Sequence, residues 1–588
     1  LFTLINIFVS RPRIEFKIVS LQEGDVRGTK YWNGDFYEFY GVPYASVPKG
    51  RNRYKGPLPP ESWKGIYEAN ITNIICTQMF FGDGEDFAIG QDDCLVLNLF
   101  VPTIASQTNL LPVVVYIHSG GYAIGHGNMA KYNYLVNHDV IVISINYRLG
   151  ALGFLCLGTD DIPGNAGLKD QVAALRWINK NVEKFGGDPK KVTVAGFSVG
   201  ASMAELLTLS KSTIGLIDKI ILDSGSALAS WAINRHPIKT ATHIAQSLGY
   251  NNTGRIKDLT DFYLNIDSDL ISMNSLNFHL RNGTFGFAPC IENAYEGIEP
   301  FLTELPRDVF KNGDNQRVNV LTGFANMEGL SRVGKFDEWK HIMENNFAEF
   351  VPTDLKFKDD STKLKVVNDI KKYYFGDKVV LKSVEEYITY FSDAMFTYSI
   401  LKSAEELSKN NPVYLYEFSY VGDLNAKHIF MDRIIGASHR DQTSYILDFY
   451  SWTGNYDDMD TRDRLTMMWA DFVKYGNPTA YESVLVNYKW PRYTWILSRH
   501  MYLFYTLQEI FNIIYIYIYK LIFIYETAMF VKKNPVFFST RSQCNNRNLR
   551  HKDRVYAADS RQNTALNTEA YYTWRQKFTT KFQATLRN

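Results

Sequence analysis

The sequence predicts an α/β fold, a mainly parallel sheet covered by helices on both faces. Three observations predict it. From about Lys17 to Tyr475, short β-branched runs alternate with longer helical patterns; the runs are apolar nearly throughout, as strands buried on both faces must be; and one run enters a helical segment through Gly196-Phe197-Ser198-Val199-Gly200.

In chain order the predicted strands are Val113 to Ile117, Val140 to Asn146, Val192 to Ala195, Ile220 to Asp223, Val318 to Thr322 and Val413 to Phe418. Between the second and third, Leu168, Val172, Leu175, Ile178, Val182 and Phe185 recur at helical spacing and form one stripe, which Gly186-Gly187-Asp188-Pro189 ends. Val192 to Ala195 then feeds the turn with Ser198 at its tip, and Ala201 to Leu207 reads as the helix that follows. Strand, sharp turn and helix with serine between two glycines form a nucleophile elbow: glycine lets strand and helix approach closely while the serine hydroxyl is held out. The five-residue pattern alone recurs by chance, so its surroundings have to carry the argument.

Composition narrows the function. The chain has 588 residues, long for one domain but within the range of large α/β folds. Lys and Arg total 63 against 62 for Asp and Glu, which leaves no basic footprint for nucleic acid and points to a small, uncharged partner molecule. The five cysteines, Cys76, Cys94, Cys156, Cys290 and Cys544, show no metal-ligand spacing, so no structural metal is expected; no cofactor is expected either, since the chemistry read below needs none. Cys76 and Cys94 would close a short loop, and acceptor sequons at Asn70, Asn251 and Asn282 fit a secretory environment. Nothing in the composition specifies an oligomeric state.

Both ends differ from the rest. Residues 1–16 open on Leu1 with an apolar run through Val9 but no basic flank, and read either as the remains of a signal peptide or as a misread gene start. The catalytic unit is placed at 17–505, and 506–588 is an irregular tail. Within it, 510–525 alternates Ile and Tyr; this composition favours a translated noncoding segment over a tail strand or a membrane span, which Asn512, Lys520 and Glu526 would interrupt.

A serine acyl-transfer enzyme needs a nucleophile, a base, a group that orients the base, and donors for the oxyanion. Upstream of Ser198, the strand ending at Ile117 runs into His118-Ser119-Gly120-Gly121, the place of an HGGG-type loop whose amides, with that of Val199, would face the developing charge. Downstream, Glu328 stands just past the Val318 strand and His439 lies in a polar loop after the Val413 strand. The order Ser198, Glu328, His439 is the one used by α/β-hydrolases.

With these segments, Phe39 to Ala45, Asp92 to Asn98, Asn146 to Gly150, Pro163 to Gln171 and Trp469 to Pro478 make the chain resemble the type-B carboxylesterase (carboxylesterase/cholinesterase) family, most closely its insect carboxylesterases, over about Lys17 to Tyr493. The resemblance implies an α/β-hydrolase fold, a Cys76–Cys94 disulfide, a Ser198–His439–Glu328 triad and an oxyanion hole of Gly120, Gly121 and Val199. It also implies ion pairs Arg53–Asp92 and Arg148–Asp170, and a place for Trp231 in the acyl pocket, where a plain core tryptophan is the competing reading. The chain departs from the family at Phe197 and Val199, where Glu and Ala are usual, at Ser119 in the glycine loop, and at Arg440 and Gln442, where Gly and an acid are common. Gly84 stands where cholinesterases carry a tryptophan. Phe197 and Gly84 together argue against choline esters and for uncharged, apolar ones. The expected function is therefore a serine ester hydrolase working through an acyl-enzyme; the alternative is a catalytically silent adhesion or ligand-sequestering protein on the same fold.

Overall fold

The computed structural model describes residues 14–494 except 81–85, 276–280, 429–433, 450–453, 484 and 487–488. Cys544, Gly84 and the tail at 506–588, with its Ile/Tyr-rich stretch, lie outside the described residues, as do residues 1–13 of the N-terminal segment. The chain divides after Arg492, and the fold below is that of the unit before it.

Its strands are β1 (Phe16–Ser20), β2 (Asp25–Lys30), β3 (Phe36–Pro43), β4 (Ile66–Glu68), β5 (Gln78–Phe80), β6 (Phe87–Ile89), β7 (Val96–Pro102), β8 (Leu111–Ile117), β9 (Ile141–Ile145), β10 (Gly187–Phe197), β11 (Lys219–Asp223), β12 (Asn319–Ala325) and β13 (Val413–Phe418). Among the described residues eleven of them form one sheet in the order β1-β2-β3-β7-β9-β8-β10-β11-β12-β13, with β4 beside β2. The six strands from β9 to β13 in that order pair parallel. These are the six predicted from the sequence. The first four of the path pair antiparallel and join the rest through β7 and β9. The architecture is the α/β-hydrolase fold: a large, mostly parallel sheet flanked by helices.

The parallel strands are buried because their side chains meet helices. Val114, Tyr116, Val142, Ala195, Ile221, Leu321 and Tyr414 share one core with Trp469, Phe472 and Val473 of the helix Tyr456–Tyr475. That helix starts at a capping box on Asn455 and ends at Gly476 with φ +70°. The predicted stripe forms the helix Ala166–Asn181 with a 3₁₀ extension through Phe185, stopped by Gly186 at φ +89°. All six stripe residues are buried.

Two disulfides hold loops to this framework. Cys76 joins Cys94, as expected, and Cys156 joins Cys290 across a sequence separation of 134. The expected Arg148–Asp170 pair forms deep in the core, with Arg148 Nε and Nη2 donating to the carboxylate at 2.8 and 2.6 Å. The expected Arg53–Asp92 pair does not form. Arg53 instead donates to the carbonyls of Tyr263 and Ile266, at 2.5 and 2.6 Å, where the helix Ile256–Asn265 leaves its last carbonyls free and its dipole is negative. Asp92 accepts from the Thr77 hydroxyl. Asn70 and Asn251 are exposed, and Asn282 is half-buried with its side chain accepting from Thr284.

Candidate active site

Sheet register gathers the proposed catalytic segments at one end. Gly196 of β10 lies opposite Ile117 of β8, Phe197 opposite Asp223 of β11, and Ala325 of β12 opposite Phe418 of β13. The loops carrying Ser198, Gly120, Glu328 and His439 all leave the carboxyl ends of these neighbouring strands, where open α/β sheets place their sites.

Ser198 occupies the turn between β10 and the helix Val199–Leu209 at φ +56°, ψ −120°, a conformation an L-residue holds only under constraint. Its amide donates to the Asp223 carbonyl at 2.8 Å and its own carbonyl accepts from Ser202 at 3.0 Å. The flanking glycines are required by close approach: a Cβ on Gly196 would sit 2.4 Å from the Gly200 carbonyl carbon, and one on Gly200 only 2.3 Å from the Ile117 oxygen. This second contact also brings the β8 loop against the start of the helix.

The three side chains meet. His439 Nε2 is 2.9 Å from Ser198 Oγ, and His439 Nδ1 is 2.5 Å from Glu328 Oε2. Glu328 is fully buried, and its other oxygen accepts from the Ser224 hydroxyl at 2.5 Å and the Ala325 amide at 2.8 Å. A carboxylate facing Nδ1 places the ring proton there and leaves Nε2 as an acceptor aimed at the serine. The histidine loop is tied down separately: Asp441 accepts from the amides of Ser438 and Ala426, and Asn326 accepts from the Ala437 amide.

Gly120 and Gly121 adopt φ +123° and +63°, and a Cβ on Gly120 would lie 1.8 Å from the Ile124 carbonyl oxygen. Ser119 is not among the positive-φ residues, so serine fits there without backbone strain. Arg440, by contrast, is at φ +87°, which explains why glycine is common at that position; its guanidinium lies 4.3 Å over the Phe449 ring. Among the described residues, the amides of Gly120, Gly121 and Val199 have no intramolecular acceptor. His118 at the head of this loop is buried and stacked on Tyr147 at 4.3 Å; burial drives its pKa down to about 3, so it stays neutral.

Two rings flank the His439 imidazole, Phe197 at 4.6 Å and Phe396 at 4.3 Å between centroids. Trp231 is fully buried, donates Nε1–H to the Met395 carbonyl at 2.8 Å, and packs 6.1 Å from Phe396. Met395 and Phe396 sit in a π-helical turn, Asp393–Thr397, an irregularity often found at functional sites. Trp231 therefore joins the histidine's aromatic wall through Phe396, a residue that sequence reasoning missed. Ser224 was missed as well; the signal available for it was its place just past the carboxyl end of β11.

The buried Asp393 in that turn accepts from Tyr374 at 2.9 Å, and burial pushes its carboxyl from 3.8 up to about 7 against that hydrogen bond. Between those values the folded chain holds a proton that the unfolded chain has released, so this group lowers stability as pH rises from about 4 to 7. Asp393→Asn is expected to stabilise the fold by about 2 kcal/mol more at pH 8 than at pH 5. Melting curves of both proteins at the two pH values would check it, and an equal gain at both would contradict it.

Fold and site together define a serine hydrolase of the α/β-hydrolase class, with a serine on a strand-to-helix elbow and a histidine held by hydrogen bonds between that serine and a buried carboxylate. The carboxylesterase family model matches residues 15–515, and the chain belongs to that family. Esterase FE4 of Myzus persicae is 35% identical over 503 residues, covering 81% of this chain and 88% of its own length. Juvenile hormone esterase of Heliothis virescens is 32% identical over 491 residues, 79% and 86% of the two chains. The crystal structure of juvenile hormone esterase from Manduca sexta with OTFP covalently attached superposes with a TM-score of 0.71 at 28% identity, covering 82% of this chain and 93% of that one. The chain is a carboxylic ester hydrolase. Among the described residues no helix is long and apolar enough to cross a membrane.

Proposed function

We propose that the protein hydrolyses uncharged, apolar carboxylic esters by a two-step acyl-enzyme route, with Ser198 as nucleophile, His439 as base and Glu328 as the group that orients it. The observation that carries this reading is the unbroken relay from Ser198 Oγ through the imidazole to Glu328, at 2.9 and 2.5 Å. Nε2 of His439 takes the serine proton as Oγ attacks the ester carbonyl. The oxyanion is received by the amides of Gly120, Gly121 and Val199, which have no competing acceptor among the described residues and include the first amide of a helix. As the C–O bond to the alcohol breaks, the imidazolium returns its proton to the leaving oxygen. Water, deprotonated by the same nitrogen, then attacks the acyl carbonyl, and the Ser198 Oγ–acyl bond breaks to release the acid.

Substrate class follows from what lines the base. Phe197 and Phe396 place apolar rings on the imidazole, and no carboxylate stands beside the serine in the position Phe197 holds. An apolar acyl or alkyl group is favoured there, whereas a quaternary ammonium gains no charge partner from that position. A silent binding protein would have no need of an imidazole held between a serine and a buried carboxylate. Two disulfides and the exposed sequons at Asn70 and Asn251 support a place in the secretory pathway, with glycosylation at Asn70, Asn251 and Asn282. A substrate panel tests the proposal: kcat/KM on short aryl esters is expected to exceed that on choline thioesters by at least about tenfold. Equal or preferred turnover of the choline thioesters would overturn the substrate class.

A further inference from the structure

Behind the triad, one residue is linked to all three of its arms, directly to the serine and through neighbouring residues to the histidine loop and the carboxylate. Asp223 closes β11, and its backbone carbonyl accepts the Ser198 amide at 2.8 Å. Its carboxylate reaches the histidine loop twice: Oδ1 accepts from Gln442 Nε2 at 2.5 Å and Oδ2 from Thr443 Oγ1 at 2.9 Å, three and four residues past His439. The same Gln442 amide also donates to Ser224 Oγ at 2.5 Å, and Ser224, next in chain to Asp223, donates to Glu328. Tyr416 of β13 supplies a third donor to the carboxylate, reaching Oδ1 at 2.9 Å.

The centre of this cluster is sealed from solvent: Asp223, Ser224 and Gln442 have no exposed surface. Gln442 Oε1 is buried and has no hydrogen-bond partner among the described residues. Turning the amide over would aim that oxygen at the Asp223 carboxylate and remove two hydrogen bonds, so the charge on Asp223 fixes which way Gln442 faces. With its NH₂ committed to the Ser224 oxygen, the Ser224 proton has Glu328 as its acceptor. Ser224 is itself held at φ +54°, a strained conformation that persists only where surrounding contacts over-determine it. The ionisable groups around the carboxylate are Glu328, Tyr416 and Tyr116. Burial drives the Asp223 carboxyl up to about 7, donors from Gln442, Thr443 and Tyr416 draw it back, and Glu328 adds to the rise.

We propose that Asp223 and Gln442 form a single positioning unit, a carboxylate–carboxamide clasp that holds the His439 loop and the Ser224–Glu328 contact in register with the Ser198 elbow. Neither residue touches the reacting atoms. The clasp explains why Gln442 is accommodated where an acid is common in the family: the carboxyl of the buried pair is supplied by Asp223, and a second acid would face it directly. The proposal rests on the triad assigned above.

The test compares Asp223→Asn, Gln442→Met and the double variant, using turnover per active site titrated with a fluorophosphonate. Each single variant is expected to lower kcat per titrated site about tenfold with KM changed less than about twofold, because a misaligned relay slows chemistry without altering the pocket. The double variant is expected to be no slower than the worse single one, since both break the same contact. Wild-type kcat per titrated site in Gln442→Met, or losses that multiply in the double variant, would overturn the clasp even if melting temperatures fall. Gln442→Met keeps side-chain length and volume, so it reads out even if Asp223→Asn fails to fold. Ser198→Ala in the same titration separates the two failures: label retained there refutes the nucleophile, not the clasp.

Discussion

Ser198→Ala is expected to lower kcat on an aryl ester by at least about 10⁴-fold and to abolish the burst of alcohol release. The side chain removed is the only atom set that forms the acyl bond in the proposed route. What remains, the free amides of Gly120, Gly121 and Val199 and the apolar wall around His439, can bind an ester and polarise its carbonyl but offers water no covalent path. The fold should survive, because the elbow is specified by the backbone: the glycine contacts at Gly196 and Gly200 and the Ser198 amide bond to Asp223 do not involve the hydroxyl. Alanine inherits the positive φ, so the variant should melt close to wild type. Stopped-flow burst kinetics beside circular dichroism would check both parts, and turnover within tenfold of wild type would show that another residue is the nucleophile.

Glu328→Gln is the second large effect, with kcat expected to fall about 10³- to 10⁴-fold and KM to change less than about threefold. The substitution preserves shape, and the glutamine oxygen can still accept from Ser224 and Ala325 where Oε1 does now. That leaves an NH₂ facing His439 Nδ1. A donor there makes Nδ1 the acceptor and moves the ring proton to Nε2, so the imidazole would donate to Ser198 instead of taking its proton. Substrate binding does not pass through this buried carboxylate, which is why KM should hold. Steady-state kinetics on the same aryl ester measure both quantities, and a kcat within threefold of wild type would remove Glu328 from the relay.

Much of this site can be read in the sequence because its chemistry is tied to local pattern. The elbow declares itself by glycine spacing, and the six parallel strands by being apolar on both faces. The antiparallel strands at the start are harder to see: β1 alternates exposed and partly buried positions with only Val19 buried, and carries too little hydrophobic contrast to stand out. Contacts between distant segments leave no local trace. Ser224 meets Glu328 across 104 residues, Phe396 reaches His439 from a π-helical turn, and Cys156 finds Cys290 across 134, a pairing that spacing alone does not determine. Arg53 shows why charge pairs are the least legible: it donates to two carbonyls at a helix end and not to the carboxylate of Asp92.

The central claim is that Ser198 carries the acyl group, and covalent labelling tests it most directly. Treat the wild-type protein with a fluorophosphonate until ester turnover stops, weigh the intact chain, and map the adduct by peptide mass spectrometry. The expected result is one adduct per chain, on the peptide containing Ser198, formed in proportion to the activity lost. Complete inactivation with the adduct on any other residue, or full labelling of Ser198 with turnover intact, would contradict the account.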